Sequence, residues 1–248
     1  MAVSTFEVTR APHFSGSLLA EGFRLMQERL AVYLALAAAC AATAWAVFPR
    51  IDMYSVLAYH PMSLVSTPPV SVVLLLAMLA LFFILPSALR RIQPNFKMTV
   101  VRAGITIVTL ASVGVLTDLG YTLAVIPGIV ITVLLSQALI GALLRAREGA
   151  SFREIGQAIL GSYRGSVQMT KAHFATTLGV VVASLAILLV PFTLVLITLA
   201  VLGVQVPPSL IVMAPVLFLT FIYFECVRYA LIVRWYRRLA EDRPTASP

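Results

Sequence analysis

The chain has 248 residues, of which 60% are apolar and 11% are charged, and its mean hydropathy is +0.99. Soluble globular domains are about 45–50% apolar and about 25% charged, so this chain has too few charged side chains to cover a surface in water. The same composition excludes a disordered protein, because disordered chains are poor in apolar residues and rich in charge. We therefore expect an integral membrane protein, and the net charge of +8 must be interpreted from the positions of the charges.

Six stretches approach the length of roughly 20 apolar residues that crosses about 30 Å of hydrocarbon. They predict an all-α protein with transmembrane helices at about residues 30–48, 69–89, 103–119, 121–144, 172–202 and 208–233. The third and fourth spans are joined only by Asp118, Leu119 and Gly120, which predicts a helical hairpin with its turn there. The fifth span is long enough to tilt or to bend at Pro191.

The basic residues support this six-span topology. With the N-terminus in the cytoplasm, every lysine and arginine except Arg50 falls on the cytoplasmic side. Adding or removing a span would break this alternation, so the positive-inside rule favours six spans with both termini cytoplasmic. We expect one membrane domain over residues 1–240, a disordered tail over 241–248 and no cleaved signal peptide.

The positions of the basic residues also predict what the protein binds. Basic residues at helix ends attract anionic phospholipids of the bilayer. They do not form the single patch with interleaved aromatic residues that is typical of nucleic-acid binding, so no nucleic acid is expected.

Two cytoplasmic segments are amphipathic. In residues 15–30, apolar side chains recur at helical spacing: Leu19, Phe23, Met26 and Leu30. In residues 151–164 they do so again: Phe152, Ile155, Ile159 and Tyr163. Ser151 and Glu154 also have the spacing of a capping box. These patterns predict two helices lying in the cytoplasmic interface, and the alternative is that they extend the neighbouring spans inward.

Ionisable residues inside spans are costly and are therefore functional candidates. Glu225 lies about two turns before the cytoplasmic end of the sixth span, and Arg228 shares its helix face. The pair is either a site for an ion, a proton or a lipid headgroup, or a neutralised pair whose Arg228 extends to the interface, and we favour the second interpretation. Asp118, close to Tyr121 at the outer end of the third span, is interpreted as a cap of the hairpin rather than as a ligand.

Proline interrupts four of the predicted spans, at Pro86, Pro127, Pro191 and Pro215. Transporters build sites from broken helices in the middle of the membrane, so Pro127 and Gly128 are a candidate site. Proline and glycine are also common in membrane helices in general, which favours a structural role.

No motif of an enzyme or a metal site occurs. Walker, H-E-x-x-H and G-x-S-x-G sequences are missing, so we expect no catalytic residue. Cys40 and Cys226 lie in separate spans, and the three histidines lie on opposite sides of the bilayer. We therefore expect no metal site and no cofactor.

The fourth predicted span and the segment after it resemble a known family. LGYTLAVIPGIVITVLLSQALIGALL is followed by REGASFREIGQAILGSYRG and a long span. This is similar to the membrane domain attached to some bacterial glycerophosphodiester phosphodiesterases, which also occurs alone in six-span inner-membrane proteins. The matching positions are Ile126, Pro127, Gly128, Ile129, Glu148, Gly149, Ala158 and Ser162. The resemblance implies the topology and a bacterial inner-membrane location, and it implies no phosphodiesterase activity.

These observations predict a non-enzymatic bundle that acts as an accessory or structural subunit of a larger membrane complex. Small residues in the first span, LALAAACAATAWA, allow close contact between helices. Two alternatives stay open. One is a transporter of small solutes or lipids that uses broken helices and Glu225, and the other is a membrane subunit that carries a pigment or another cofactor.

Overall fold

The structure, a computed structural model, describes residues 16–47, 68–146, 150–201 and 206–242. Within these ranges the secondary structure is entirely helical, and it comprises α1 Gly16–Gln27, α2 Leu30–Val47, α3 Pro68–Leu89, α4 Val100–Leu123, α5 Val125–Leu135, α6 Ala138–Arg145, α7 Phe152–Ala172, α8 Phe174–Val201 and α9 Val206–Glu241. The predicted tail lies outside the described residues except for Glu241 and Asp242, and Glu241 still belongs to α9.

Four stretches of the described chain are long and apolar enough to cross a membrane: Val100–Leu123, Val125–Arg145, Phe174–Pro191 and Met213–Glu241. Helices α1 and α2 meet at an angle of 79° and add a fifth candidate if the bent pair is one span. The apolar stretch Leu75–Leu89 of α3 is shorter. The coarse prediction, an all-helical protein with several candidate membrane-spanning helices, is therefore confirmed.

The chain divides into two compact units. The described part of the first unit comprises residues 18–47, 68–88, 186–201 and 206–230, and that of the second comprises residues 16–17, 89–146, 150–185 and 231–242.

In the first unit, α1 packs on α9 through Gly22. A Cβ atom at Gly22 would lie 3.0 Å from the Cα atom of Val227, so no side chain fits there. Leu18 and Leu25, on the same face of α1, are each 1% exposed. The predicted apolar stripe lies on another face, since Leu19 is 42% and Phe23 is 53% exposed. A helix forms where one was predicted, and its packed face is Leu18, Gly22 and Leu25.

In the second unit, α4 and α5 form the predicted hairpin, but the position of its turn was predicted wrongly. Helix α4 continues through residues 118–120 to Leu123, and Ala124 then takes an extended conformation, with φ −176° and ψ 165°. The reason is Pro127, which has no N–H to donate to the Leu123 carbonyl group of a continuous helix. In the first turn of a helix that N–H needs no partner, so α4 ends and α5 begins just before Pro127.

Proline has a different effect in the other helices. Pro86, Pro191 and Pro215 lie inside α3, α8 and α9, respectively, and each of these helices continues past its proline.

Candidate functional site

The candidate span Val125–Arg145 is not one continuous helix. Helix α5 ends at Leu135 and α6 begins at Ala138, and Ser136 and Gln137 form a turn between them. The Ser136 N–H donates to the Val133 carbonyl group at 3.3 Å, which is one residue nearer than in an α-helix. The carbonyl groups at the end of α5 therefore need other donors.

Helix α7 supplies these hydrogen bonds through the hydroxyl group of Ser166, and the hydroxyl group of Thr170 lies beside it. Ser166 Oγ donates to the Leu134 carbonyl oxygen at 2.6 Å and accepts from the Gln137 N–H at 3.3 Å. Thr170 Oγ1 lies 3.4 Å from the same Leu134 oxygen and donates to the Ser166 carbonyl oxygen at 2.8 Å. Gln137 is 1% exposed, and Ser166 and Thr170 are fully buried. We call Ser136, Gln137, Ser166 and Thr170 the broken-span cluster.

The face of α7 that contacts α5 and α6 consists mainly of small and hydroxyl-bearing residues. Its buried residues are Ser162, Gly165, Ser166, Met169 and Thr170. A Cβ atom at Gly141 of α6 would lie 3.4 Å from the Cβ atom of Ser162, so the two backbones run close together. Small residues at four-residue spacing are the known sequence signal for such contacts.

Sequence reasoning missed this face of α7 because it followed only the apolar stripe of the same segment. Phe152, the first residue of that stripe, is 96% exposed. Tyr163, its last residue, has its hydroxyl group hydrogen-bonded to Ser112 Oγ of α4. The predicted capping box is confirmed, since the Glu154 N–H donates to Ser151 Oγ and the Ser151 N–H donates to Glu154 Oε2 at 2.7 Å.

The broken-span cluster offers mainly hydrogen-bond acceptors. Each hydroxyl proton is used on a main-chain carbonyl oxygen: Ser136 donates to Val133, Ser166 to Leu134 and Thr170 to Ser166. Gln137 Oε1 is buried and has no hydrogen-bond partner within the described ranges. An unpaired buried acceptor is costly, so this oxygen is suited to a water molecule or a small hydrogen-bond donor.

The first unit contains the predicted pair of Glu225 and Arg228, and its geometry confirms the pairing. Arg228 Nη2 and Nε lie 2.7 Å and 2.9 Å from Glu225 Oε2. The Glu225 side chain is only 4% exposed and that of Arg228 is 22% exposed. The Arg228 guanidinium group also lies over the Tyr229 ring, 4.8 Å from its centre. The two opposite charges are thus neutralised on one face of α9.

The candidate residues of the hairpin act in packing. A Cβ atom at Gly128 would overlap the ring of Tyr121, and one at Gly120 would lie 3.0 Å from the Gly128 Cα atom. Asp118 is exposed inside α4, where its carbonyl oxygen accepts from Thr122 Oγ1 at 2.8 Å. Asp118 therefore does not cap the hairpin, and the interpretation of it as a cap was wrong because the helix ends one turn later.

Within the described ranges, no group of three or more His, Cys, Asp or Glu side chains could hold a metal ion. Cys40 and Cys226 are both free and buried.

Comparison with known proteins adds no relative. No protein-family model matches the chain, and no curated protein or solved structure matches it. The resemblance noted from the sequence therefore stays a prediction.

Proposed function

We propose that the chain is a six-span protein of the bacterial inner membrane with both termini in the cytoplasm. The arrangement of α4 and α6 supports this. Arg102 Nη2, near the start of α4, donates to the Ala146 carbonyl oxygen just after α6 at 3.2 Å. The basic ends of two consecutive candidate spans thus lie together, as two cytoplasmic ends would. The exposed Leu19, Phe23 and Phe152 support the placement of α1 and the start of α7 in the interface.

Cysteine labelling from one side of the membrane tests the topology. Ala124 and Gln157 are both exposed, and the proposal puts Ala124 outside and Gln157 in the cytoplasm. We expect an impermeant maleimide to label Ala124→Cys in spheroplasts and to label Gln157→Cys only after lysis. The reverse pattern would contradict the proposed orientation.

Within this topology we propose that the protein is a non-enzymatic accessory or structural subunit, as the small residues of the first span predicted. The observation that carries this proposal is the exposed face of α2. One face of that helix is buried, at Tyr33, Ala37, Cys40 and Ala44. The exposed residues include a stripe of six alanines: Ala31, Ala35, Ala38, Ala39, Ala42 and Ala46.

Such a stripe is suited to another transmembrane helix rather than to lipid alone. Small side chains let two helix backbones approach closely and gain van der Waals contact, whereas lipid-facing positions need no small residue. We call the six alanines the α2 alanine face.

Native mass spectrometry of the protein, extracted gently from its own membrane, tests this role. We expect a stoichiometric complex that Ala38→Leu disrupts, because leucine would separate the two backbones. Ala111→Leu is the matched control, since Ala111 is an exposed alanine of α4 outside the α2 alanine face. A protein that is monomeric in every mild detergent, or equal loss with the control variant, would contradict the proposal.

A second candidate function is transport of a small polar solute or of a lipid. The observation in its favour is the break in the candidate span Val125–Arg145, where Gln137 Oε1 is buried without a partner. Transporters use such breaks to expose polar groups at the middle of the bilayer. Glycerol-driven swelling of liposomes tests it: the wild-type chain should increase permeability, and Gln137→Leu should remove the increase. Permeability equal to that of empty liposomes would argue against transport of small solutes.

A further inference from the structure

Arg145, the last residue of α6, lies across two glycines of α7. A Cβ atom at Gly165 would lie 2.7 Å from Arg145 Nη2 and 3.2 Å from Nη1. A Cβ atom at Gly161, one turn earlier, would lie 3.6 Å from Nη1, which is an ordinary contact. The guanidinium group thus lies directly on the main chain of α7 at Gly165, and a side chain at position 165 would displace the end of Arg145. We call Gly161 and Gly165 the glycine notch.

The charge of Arg145 is not compensated within the described part of the chain. Its guanidinium group has no hydrogen-bond or ion-pair partner there, although Arg145 is exposed. A snorkelling arginine extends its side chain toward water. Arg145 is exposed in the same way, and the end of its side chain lies against α7 at Gly165, so its donors are open to a ligand from outside the protein.

A second guanidinium group lies at the same end of this unit. Arg102 donates to the carbonyl oxygens of Lys97 and Ala146, at 2.6 Å and 3.2 Å, and lies over the ring of Phe96. Its Nε atom is buried and has no partner among the described residues. Neither Arg102 nor Arg145 is paired with a described carboxylate, so this end has a surplus of positive charge.

The position of Arg145 and the chemistry of its guanidinium group together indicate one kind of ligand. Arg145 ends the candidate span Val125–Arg145, and lipid headgroups lie at the ends of membrane spans. A guanidinium group presents parallel N–H donors that match the oxygens of a phosphate group. We propose that Arg145, held in the glycine notch, binds the phosphate group of an anionic phospholipid. This inference is independent of the subunit role, because it concerns another surface.

Lipid binding to the purified full-length chain tests the proposal. Delipidated protein in mild detergent is titrated with phosphatidylglycerol, and bound lipid is counted by native mass spectrometry, with phosphatidylcholine as the neutral comparison. We expect Arg145→Gln to weaken the binding of phosphatidylglycerol about fivefold, the contribution of one arginine at a membrane surface. Arg153→Gln, which removes an exposed charge at the start of α7 outside the glycine notch, should weaken this binding less than Arg145→Gln does.

The glycine notch is tested without changing any charge. Gly165→Ala should weaken the binding of phosphatidylglycerol because its methyl group displaces the guanidinium group, whereas Gly161→Ala should not, because its methyl group makes only an ordinary contact. The thermal midpoint of each variant shows whether it folds. If Gly165→Ala does not fold, the comparison with Arg145→Gln still tests the proposal.

Three outcomes would overturn the proposal. Equal weakening by Arg145→Gln and Arg153→Gln would show unspecific attraction, and wild-type affinity of a folded Gly165→Ala variant would exclude the glycine notch. Displacement of phosphatidylglycerol by excess inorganic phosphate would assign the site to free phosphate instead of lipid.

Discussion

At the scale of single residues, glycine sets how closely neighbouring helices approach. Gly120 and Gly128 bring α4 and α5 together, and Gly165 leaves room for the guanidinium group of Arg145. Gly104 and Gly114 of α4 differ, since an added Cβ atom would meet nothing within 4 Å. The sequence does not distinguish these two groups of glycines, because the difference depends on which residue of another helix lies opposite.

We expect Gly128→Ala to destabilise the protein, because its methyl group would overlap the ring of Tyr121. Overpacking of this kind costs about 1–3 kcal/mol. Gly114→Ala is the matched control and should be neutral or stabilising by up to about 1 kcal/mol, since alanine is the better helix former. Circular dichroism in detergent gives the thermal midpoint of each variant. Equal midpoints of Gly128→Ala and Gly114→Ala would contradict a close contact between α4 and α5.

The pair of Glu225 and Arg228 leads to a second prediction at this scale. Glu225→Gln leaves the charge of the partly buried Arg228 guanidinium group without its partner. Removing one partner of a buried ion pair costs about 3–5 kcal/mol of stability, and the double variant with Arg228→Gln should recover part of this loss. Glu241→Gln removes the partner of Arg237 in an exposed pair, with side chains 61% and 67% exposed, and should cost about 0–1 kcal/mol. Thermal unfolding of the variants measures these losses of stability. A Glu225→Gln variant as stable as the wild type would contradict the prediction.

At the scale of helices, the protein tolerates a break inside a candidate span because another helix supplies the missing hydrogen bonds. The turn before Pro127 has a local signal in the sequence, the N–H that proline lacks, although α3, α8 and α9 continue past their prolines. The break at Ser136 and Gln137 has no such local signal, because neither residue prevents a helix. It depends on Ser166 and Thr170, which are about 30 residues further along the chain and become its partners only when α7 packs.

Ser166→Ala tests this dependence. The variant leaves the Leu134 carbonyl oxygen without its 2.6 Å donor and the Gln137 N–H without its acceptor, and we expect a loss of about 1–3 kcal/mol. Hydrogen exchange at Gln137 should become faster. Thr193→Val is the control, because this exposed hydroxyl group bonds only to the Leu189 carbonyl oxygen of its own helix. Unchanged exchange at Gln137 would show that Ser166 does not hold the break.

At the scale of the whole molecule, the distribution of polarity on α4 is the reverse of that in a soluble protein. Thr106 and Thr109 of α4 are buried, while Val115, Leu119 and Leu123 are more than half exposed. In water such a surface would aggregate, whereas in a bilayer the exposed apolar side chains are in contact with lipid. This agrees with the membrane class that the composition predicted.

The two cysteines give a prediction for the folded molecule as a whole. Cys40 is 4% exposed and Cys226 is fully buried, and both are free. We expect a maleimide to label neither thiol in the folded protein and both after denaturation in SDS, and we expect a reductant to leave the thermal midpoint unchanged. Rapid labelling of the folded protein would contradict the packing of α2 and α9. In that case the topology experiment would have to use a variant in which Cys40 and Cys226 are replaced.

The class of the protein, most of its helices and the pairing of Glu225 with Arg228 could be predicted from the amino-acid sequence. These properties depend on composition, on local periodicity and on residues one helical turn apart, all of which are local along the chain. The break at Gln137, the packed face of α7 and the position of Arg145 on Gly165 became apparent only from the packed helices. Each of these depends on which side chain of a distant segment lies opposite, and that is known only once the helices have packed.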